Sequence, residues 1–395
     1  MENLICREYE PEDIHDLLGV RNAIFPPLSV EQWRATEPVM TASLGYLDGE
    51  PVGAIPLEQR DFQVAPGAVI RTAFENAVGT REDTRSKGVG GAMIKAAKEF
   101  LADRCDMLMV YRGGERTNGY NFYTKSGHRD LIYLRSVTWQ PQQTEVSGAV
   151  LSLDELYAEE DAVYRTFMAT YSGYAGFPPR YVGYWREAMS RMIYDVIPQE
   201  TLYVRYPATG SLQAYVIAGI RTGRYAGDTV IIEEAASATG PQAMVQALLL
   251  LGNEAAARGM RVTDYVSNEH PWRQLYAQLG FEEHLRELMI MGQIIRPQEL
   301  FCKTCLAPEL IGDLRVKVWT PTLDCVLSEG VNANREITIE AKDEHLIRLL
   351  TRRLNLQAAV ESDLVSIHGA TPDAIGRLSQ AFPYAPWVYL HIDYL

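Results

Sequence analysis

The period of the apolar positions changes several times along the chain, and each change marks an element. Residues 12–23 and 29–36 repeat at helical spacing. "ASLGYLDGEPVGAIPL" (42–57) alternates around Asp48-Gly49, which predicts a hairpin, and 68–78 reads as a strand. Met93, Ile94, Ala97, Phe100 and Leu101 then recur three and four apart, which predicts a helix over 90–103. "DMLMVY" (106–111) reads as a buried strand, and "GYNFYTKSGH" (119–128) as a short helix closed by Gly127. The polar stretch "WQPQQTEVSGA" (139–149) reads as a linker.

Beyond the linker the order returns. A strand over 228–235, a helix over 242–259, a strand over 261–266 and a helical segment over 271–283 follow one another. Adding 153 carries Tyr123 onto Tyr276 and Gly127 onto Gly280. This predicts an internal domain repeat. The last hundred residues differ. Strands are expected over 313–320, 335–341, 363–369 and 387–395, with helices over 343–353 and 371–382, a small α+β domain.

Composition narrows the setting. A net charge of −14 disfavours nucleic acid, which needs Lys and Arg for its phosphates, and suits cationic small molecules. The N-terminal stretch has no signal-peptide core, and no apolar run is long enough to span a bilayer, so a cytoplasmic protein is expected. Five scattered cysteines make no disulfide framework. Cys302-x-x-Cys305 has metal spacing but no second pair, so no metal is expected.

The chemistry centres on "RSKGVGG" (85–91). A strand, a glycine loop and then a helix make an anion site, because the first N–H groups of a helix lack internal partners. Glycine admits close approach and positive φ. Arg85 and Lys87 add charge. In the second copy Arg85, Gly88 and Gly90 become Ala238, Pro241 and Ala243, and proline has no N–H to give. The second copy therefore reads as having kept the fold and lost the ligand, and the glycines as serving a ligand rather than the architecture.

Arg85-x-x-Gly88-x-Gly90, followed by "NFYTKSGH", resembles the GNAT acetyltransferase superfamily. The resemblance implies that acetyl-CoA lies along Val78, Gly79 and Thr80. It implies pyrophosphate contacts from Ser86, Lys87, Gly88, Val89, Gly90 and Gly91, and further contacts at Asn118 and Gly119. Two GNAT repeats plus a C-terminal domain resemble the "enhanced intracellular survival" family. That implies a catalytic GNAT domain (1–140), a degenerate GNAT domain (141–296) and a sterol-carrier-like domain (297–395), in a homo-oligomer, hexameric in that family. The chain departs from it at His128, where an aromatic is common, and at Leu395, where Phe is usual.

The expected reaction is acetyl transfer to a primary amine of a small cationic molecule such as an aminoglycoside or polyamine. Tyr123, protonated at neutral pH, is the candidate proton donor. Two bases stand open: Glu75, and the terminal carboxylate of Leu395 to which the resemblance points. The alternative function is an apolar-ligand-binding protein with acetyl-CoA as a regulatory ligand.

Overall fold

The computed structural model describes residues 3–113, 118–190, 200–222 and 228–393. In chain order the first elements are β1 (Leu4–Glu8), α1 (Ile14–Asn22), α2 (Val30–Thr36), β2 (Met40–Leu47), β3 (Glu50–Ala65), β4 (Ala68–Glu75) and β5 (Gly79–Thr80). There follow α3 (Val89–Phe100), β6 (Met107–Gly113), α4 (Asn118–Lys125), β7 (Arg129–Trp139), β8 (Ala149–Leu151), α5 (Leu153–Ala158), α6 (Glu160–Tyr171) and α7 (Tyr184–Ser190). Next come β9 (Glu200–Tyr206), β10 (Ala214–Arg221), β11 (Thr229–Ser237), α8 (Pro241–Ala257), β12 (Arg261–Val266), α9 (Arg273–Leu279) and β13 (Glu282–Ile294). The chain closes with α10 (Pro297–Thr304), β14 (Leu314–Trp319), β15 (Asp324–Glu329), β16 (Arg335–Ala341), α11 (Asp343–Leu350), α12 (Leu356–Glu361), β17 (Val365–His368) and α13 (Pro372–Ala381). The class is mixed α/β.

Two compact units form: Met1–Ile132 with Met289–Pro386, and Tyr133–Leu288 with Trp387–Leu395. In the first, strands run β1-β2-β3-β4-β6, with β5 beside β3. The β2–β3 turn is the expected hairpin, with Asp48 and Gly49 at φ +52° and +85°, the pair of positive values a tight two-residue turn needs. β3 runs on to Ala65 and returns through Gly67 (φ +77°) as β4, an extension the alternation did not reveal. Glu58 and Arg60 sit buried on this strand, 3.3 Å apart. Their charges mask its inward face in sequence. α3 closes one face of the sheet, setting Val89, Met93, Ile94 and Ala97 against Val52, Ile55, Leu57 and Ala73. A separate sheet, β15-β14-β16-β17, carries the later strands of this unit; β15 and α12 were not anticipated.

The second unit is ordered β7-β12-β11-β10-β9-β8. β10 is buried throughout: Val216, Ala218 and Ile220 meet the core beneath α8, while Tyr215 and Ile217 meet the core of α6 and α7. Of the strand expected over 387–395, the described residues 387–393 form none. Val388, Leu390 and Ile392 pack into that second core. Val388 N–H bonds Ala175 O at 2.8 Å, and His391–Asp393 make a 3-10 turn with all three side chains buried. The alternation fails because His391 and Asp393 find buried ion partners, Glu233 at 2.7 Å and Arg180 at 2.9 Å. Tyr394 and Leu395 lie outside the described residues.

The repeat shows in two helix ends. His128 N–H bonds Tyr123 O at 3.0 Å and Gly127 N–H bonds Thr124 O at 3.2 Å. Phe281 to Tyr276 (3.0 Å) and Gly280 to Ala277 (3.2 Å) repeat the pattern. Both glycines are left-handed, at φ +100° and +87°, as this two-bond cap requires. A Cβ on Gly280 meets nothing within 4 Å, whereas one on Gly127 falls 2.3 Å from Gln293 Nε2, whose amide donates to Ser126 O. Gly280→Ala is therefore expected to lose about 1–2 kcal/mol from backbone strain alone, and Gly127→Ala more. Urea denaturation of both variants measures the gap; equal losses contradict it.

Candidate active site

β4 pairs antiparallel with β3, and parallel with β6 through Thr72↔Met107, Ala73↔Leu108 and Phe74↔Met109. There the parallel ladder stops. β4 ends at Glu75, Ala77 turns through φ +46°, and the chain rejoins β3 as β5, with Ala54↔Gly79 and Gly53↔Thr80. Among the described residues β5 pairs with β3 alone, so its other edge offers backbone donors and acceptors. Gly79 and Thr80 form this edge, with Val78 just before it. A Cβ at Gly79 falls 2.7 Å from Ile24 Cδ1, so a larger residue there would push the Ile24 side chain aside.

The glycine loop follows. Ser86 and Gly88 take φ +62° and +80°, and Arg85, Ser86, Lys87 and Gly88 are all exposed. Ala92 N–H reaches Gly88 O at 3.0 Å, which leaves Val89, Gly90 and Gly91 as the orphan donors of the α3 start. No acidic residue occupies that first turn. The positive end of the helix faces outward beside two cations. The glycines divide their work, which corrects the sequence reading. Gly88 and Gly91 have open space around them, but a Cβ on Gly90 lies 2.8 Å from Phe122 of α4. Gly90 thus lets α4 pack close to α3, an architectural duty.

Tyr123 sits half-buried on α4. Its ring meets Phe122 edge-on at 5.0 Å and His128 edge-on at 5.3 Å. Arg112, almost fully buried, lies near Tyr123, Tyr120 and Asp130, and burial lowers its pKa from the usual guanidinium range. Gly119 approaches this guanidinium closely; a Cβ there falls 3.3 Å from it. Asn118 opens α4. Glu75 shares a strand face with Ala73, which packs under α3. Its carboxylate stands 2.9 Å from His128 Nε2, with side chains 1% and 0% exposed. Sequence reasoning named both residues and missed the pair, whose partners are 53 positions apart. The one signal was His128 standing where an aromatic is usual.

Residues 4–128 match the family model described as "Acetyltransferase (GNAT) family". The chain carries a GNAT acetyltransferase domain. No curated protein matches it in sequence. Among solved structures it is similar to a probable N-acyltransferase of Enterococcus faecalis, at 12% identity, covering 97% of both chains with a TM-score of 0.69. A GCN5-related N-acetyltransferase of Kribbella flavida shares 16% identity over 98% of this chain and 99% of that one, at a TM-score of 0.64. Eis1 of Mycobacterium abscessus shares 12% over 97% and 98%, at 0.59. These likenesses show a common fold across nearly the whole chain.

The second unit repeats the GNAT strand ladder and fills its opening. β11 and β12 also run parallel for three pairs, ending at Ile231↔Thr263. Past that point Ala235 O accepts from Tyr171 Oη (2.6 Å) and Trp272 Nε1 (2.9 Å). α8 starts at Pro241 behind Gly240. Tyr276, the counterpart of Tyr123, is fully buried with its hydroxyl on Asp264 Oδ2 at 2.6 Å. Among the described residues no three His, Cys, Asp or Glu cluster as a metal site, and no helix is long and apolar enough to cross a membrane. Burial raises the thiols of Cys302 and Cys305.

Burial raises Asp264 to about 7, although Tyr276 and the Tyr265 amide pull it down. An acid raised in the fold binds more protons folded than unfolded, so stability falls from about pH 4 to 7 and is level above. Asn mimics the protonated acid. Asp264→Asn is expected to melt higher than the wild type at pH 8, with the advantage shrinking at pH 5. Melting curves at the two pH values check this; an advantage that grows at pH 5 contradicts it.

Proposed function

We propose that the protein is an N-acetyltransferase that moves the acetyl group of acetyl-CoA onto a primary amine of a small, cationic acceptor. The observation that carries this reading is the β4–β6 ladder that stops at Phe74↔Met109, beside an unpaired β5 edge and three orphan amides. A pantetheine arm extends a strand edge well, and a pyrophosphate suits amides at a helix start. The open space at Gly88 and Gly91 and the exposed Arg85 and Lys87 fit such a group. In the second unit Tyr171 and Trp272 take the equivalent backbone positions, so one molecule is bound per chain. The whole-chain likeness to Eis1 is one of fold; two GNAT domains and a sterol-carrier-like domain in a homo-oligomer are what the family resemblance implies.

The amine attacks the thioester carbonyl, with a backbone N–H near Val78–Thr80 receiving the oxyanion. Tyr123 hands its phenol proton to the departing sulfur. Glu75 is enclosed with His128, which argues against it as the base; the family resemblance points to the Leu395 carboxylate. The acidic chain favours a cationic acceptor.

A panel of aminoglycosides, polyamines, arylamines and lysine peptides, assayed for CoA release, tests the reaction. Acetyl-CoA binding with no release on any amine favours a regulatory-ligand role instead. Tyr123→Phe is expected to lower kcat by ~10²–10⁴-fold with acetyl-CoA affinity little changed. Gly91→Glu is expected to abolish that binding by calorimetry, without the Phe122 clash that complicates Gly90. Residues appended after Leu395 are expected to slow transfer and spare cofactor binding; transfer at the unextended rate removes Leu395 as the base.

A further inference from the structure

Two polar side chains behind Tyr123 are closed off from water. Glu75 and His128 lie 2.9 Å apart, 1% and 0% exposed. Among the described residues none of their four polar atoms has a hydrogen-bond partner of good geometry, and the 2.9 Å contact between them is a close approach only. A buried carboxylate is unfavourable unless it is paired, and a buried pair seldom adds stability over apolar residues of the same shape. Stability therefore does not explain why the pair is present.

The second unit supplies the contrast. The residue after its cap glycine is Phe281, which stacks on Tyr276 at 4.6 Å. The residue after the last bridge of its parallel ladder is Ile232, where the first unit has Glu75. Both polar residues are thus apolar in the unit whose loop amide is replaced by proline and whose tyrosine is fixed on Asp264. They are present in the unit that keeps the glycine loop.

We propose that Glu75 and His128 are a buried pair that positions Tyr123 and steadies the phenolate left when its proton departs. This rests on Tyr123 being the acid. His128 touches both partners, the tyrosine ring edge-on at 5.3 Å and the carboxylate at 2.9 Å. The imidazole is the pair's face toward Tyr123. Both are positioning residues and touch no substrate. The proton balance closes without them. Tyr123 gives its proton to the sulfur as the carbon–sulfur bond breaks, and recovers one that the acceptor nitrogen sheds on becoming an amide. Arg112 on β6 also interacts with Tyr123, and with Tyr120 on α4 and Asp130 on β7, where Tyr120 Oη donates to Asp130 at 3.1 Å. The proposal assigns the pair an effect on top of that constant background.

The test replaces both members, Glu75→Gln with His128→Phe, so that no charge is stranded. Acetyl-CoA affinity by calorimetry is expected to be unchanged. Turnover of an amine from the panel is expected to fall on the order of tenfold, the equivalent of one pKa unit on Tyr123. The same change in a Tyr123→Phe background is expected to add no further loss. A readout independent of any acceptor is carbon-13 NMR of Cζ-labelled tyrosine, with the Tyr123 signal assigned by Tyr123→Phe. Tyr123 is expected to titrate at higher pH in the pair variant than in the wild type. An unmoved titration overturns the proposal whatever the turnover, and leaves Tyr123 standing as the acid. A fully active Tyr123→Phe enzyme overturns both readings. If the double change prevents folding, Glu75→Gln alone, nearly isosteric, carries the same measurements.

Discussion

Two parallel strands that stop pairing leave backbone groups in need of partners, and the first unit is organised around one such place. The β4–β6 ladder ends at Phe74↔Met109. Burying the freed N–H and C=O groups without partners is costly, so the opening has to face either water or a ligand. Its other features follow from that position. Ala77 takes a left-handed turn so that β5 can return to β3. Glu75, last on β4, is brought against the residue that follows the α4 cap. The helix that begins after the loop aims its free amides outward.

The second unit meets the same constraint in another way. Its β11–β12 ladder also ends after three pairs, but Tyr171 and Trp272 satisfy Ala235 O from within the chain. Pro241 at the start of α8 has no N–H to offer there. The unit anchors the terminal segment through Arg180 to Asp393 and His391 to Glu233. A buried carboxylate near a cation is held low: burial opposes ionisation of Glu233, but His391 and Arg221 outweigh it.

What could be read from sequence was local. Helical spacing found α3, the positive-φ turn at Asp48-Gly49 found the β2–β3 hairpin, and the offset of 153 found two helix caps whose bonds agree to the tenth of an ångström. The glycine loop was legible because orphan amides are a property of any helix start. Its division of labour was not, since only packing shows that Gly90 faces Phe122 while Gly91 faces open space. Buried charge was the other blind spot. Glu58 with Arg60 hid half of β3, and His391 with Asp393 turned an expected strand into a 3-10 turn. Each of these groups is tolerable inside only because of a partner, and for the terminal pair that partner lies some 150 to 210 positions away. Period and composition carry no record of such partners. The Glu75–His128 pair is the same kind of feature, with His128 edge-on to Tyr123. The residues that broke the apolar pattern are therefore where tertiary structure had most to add.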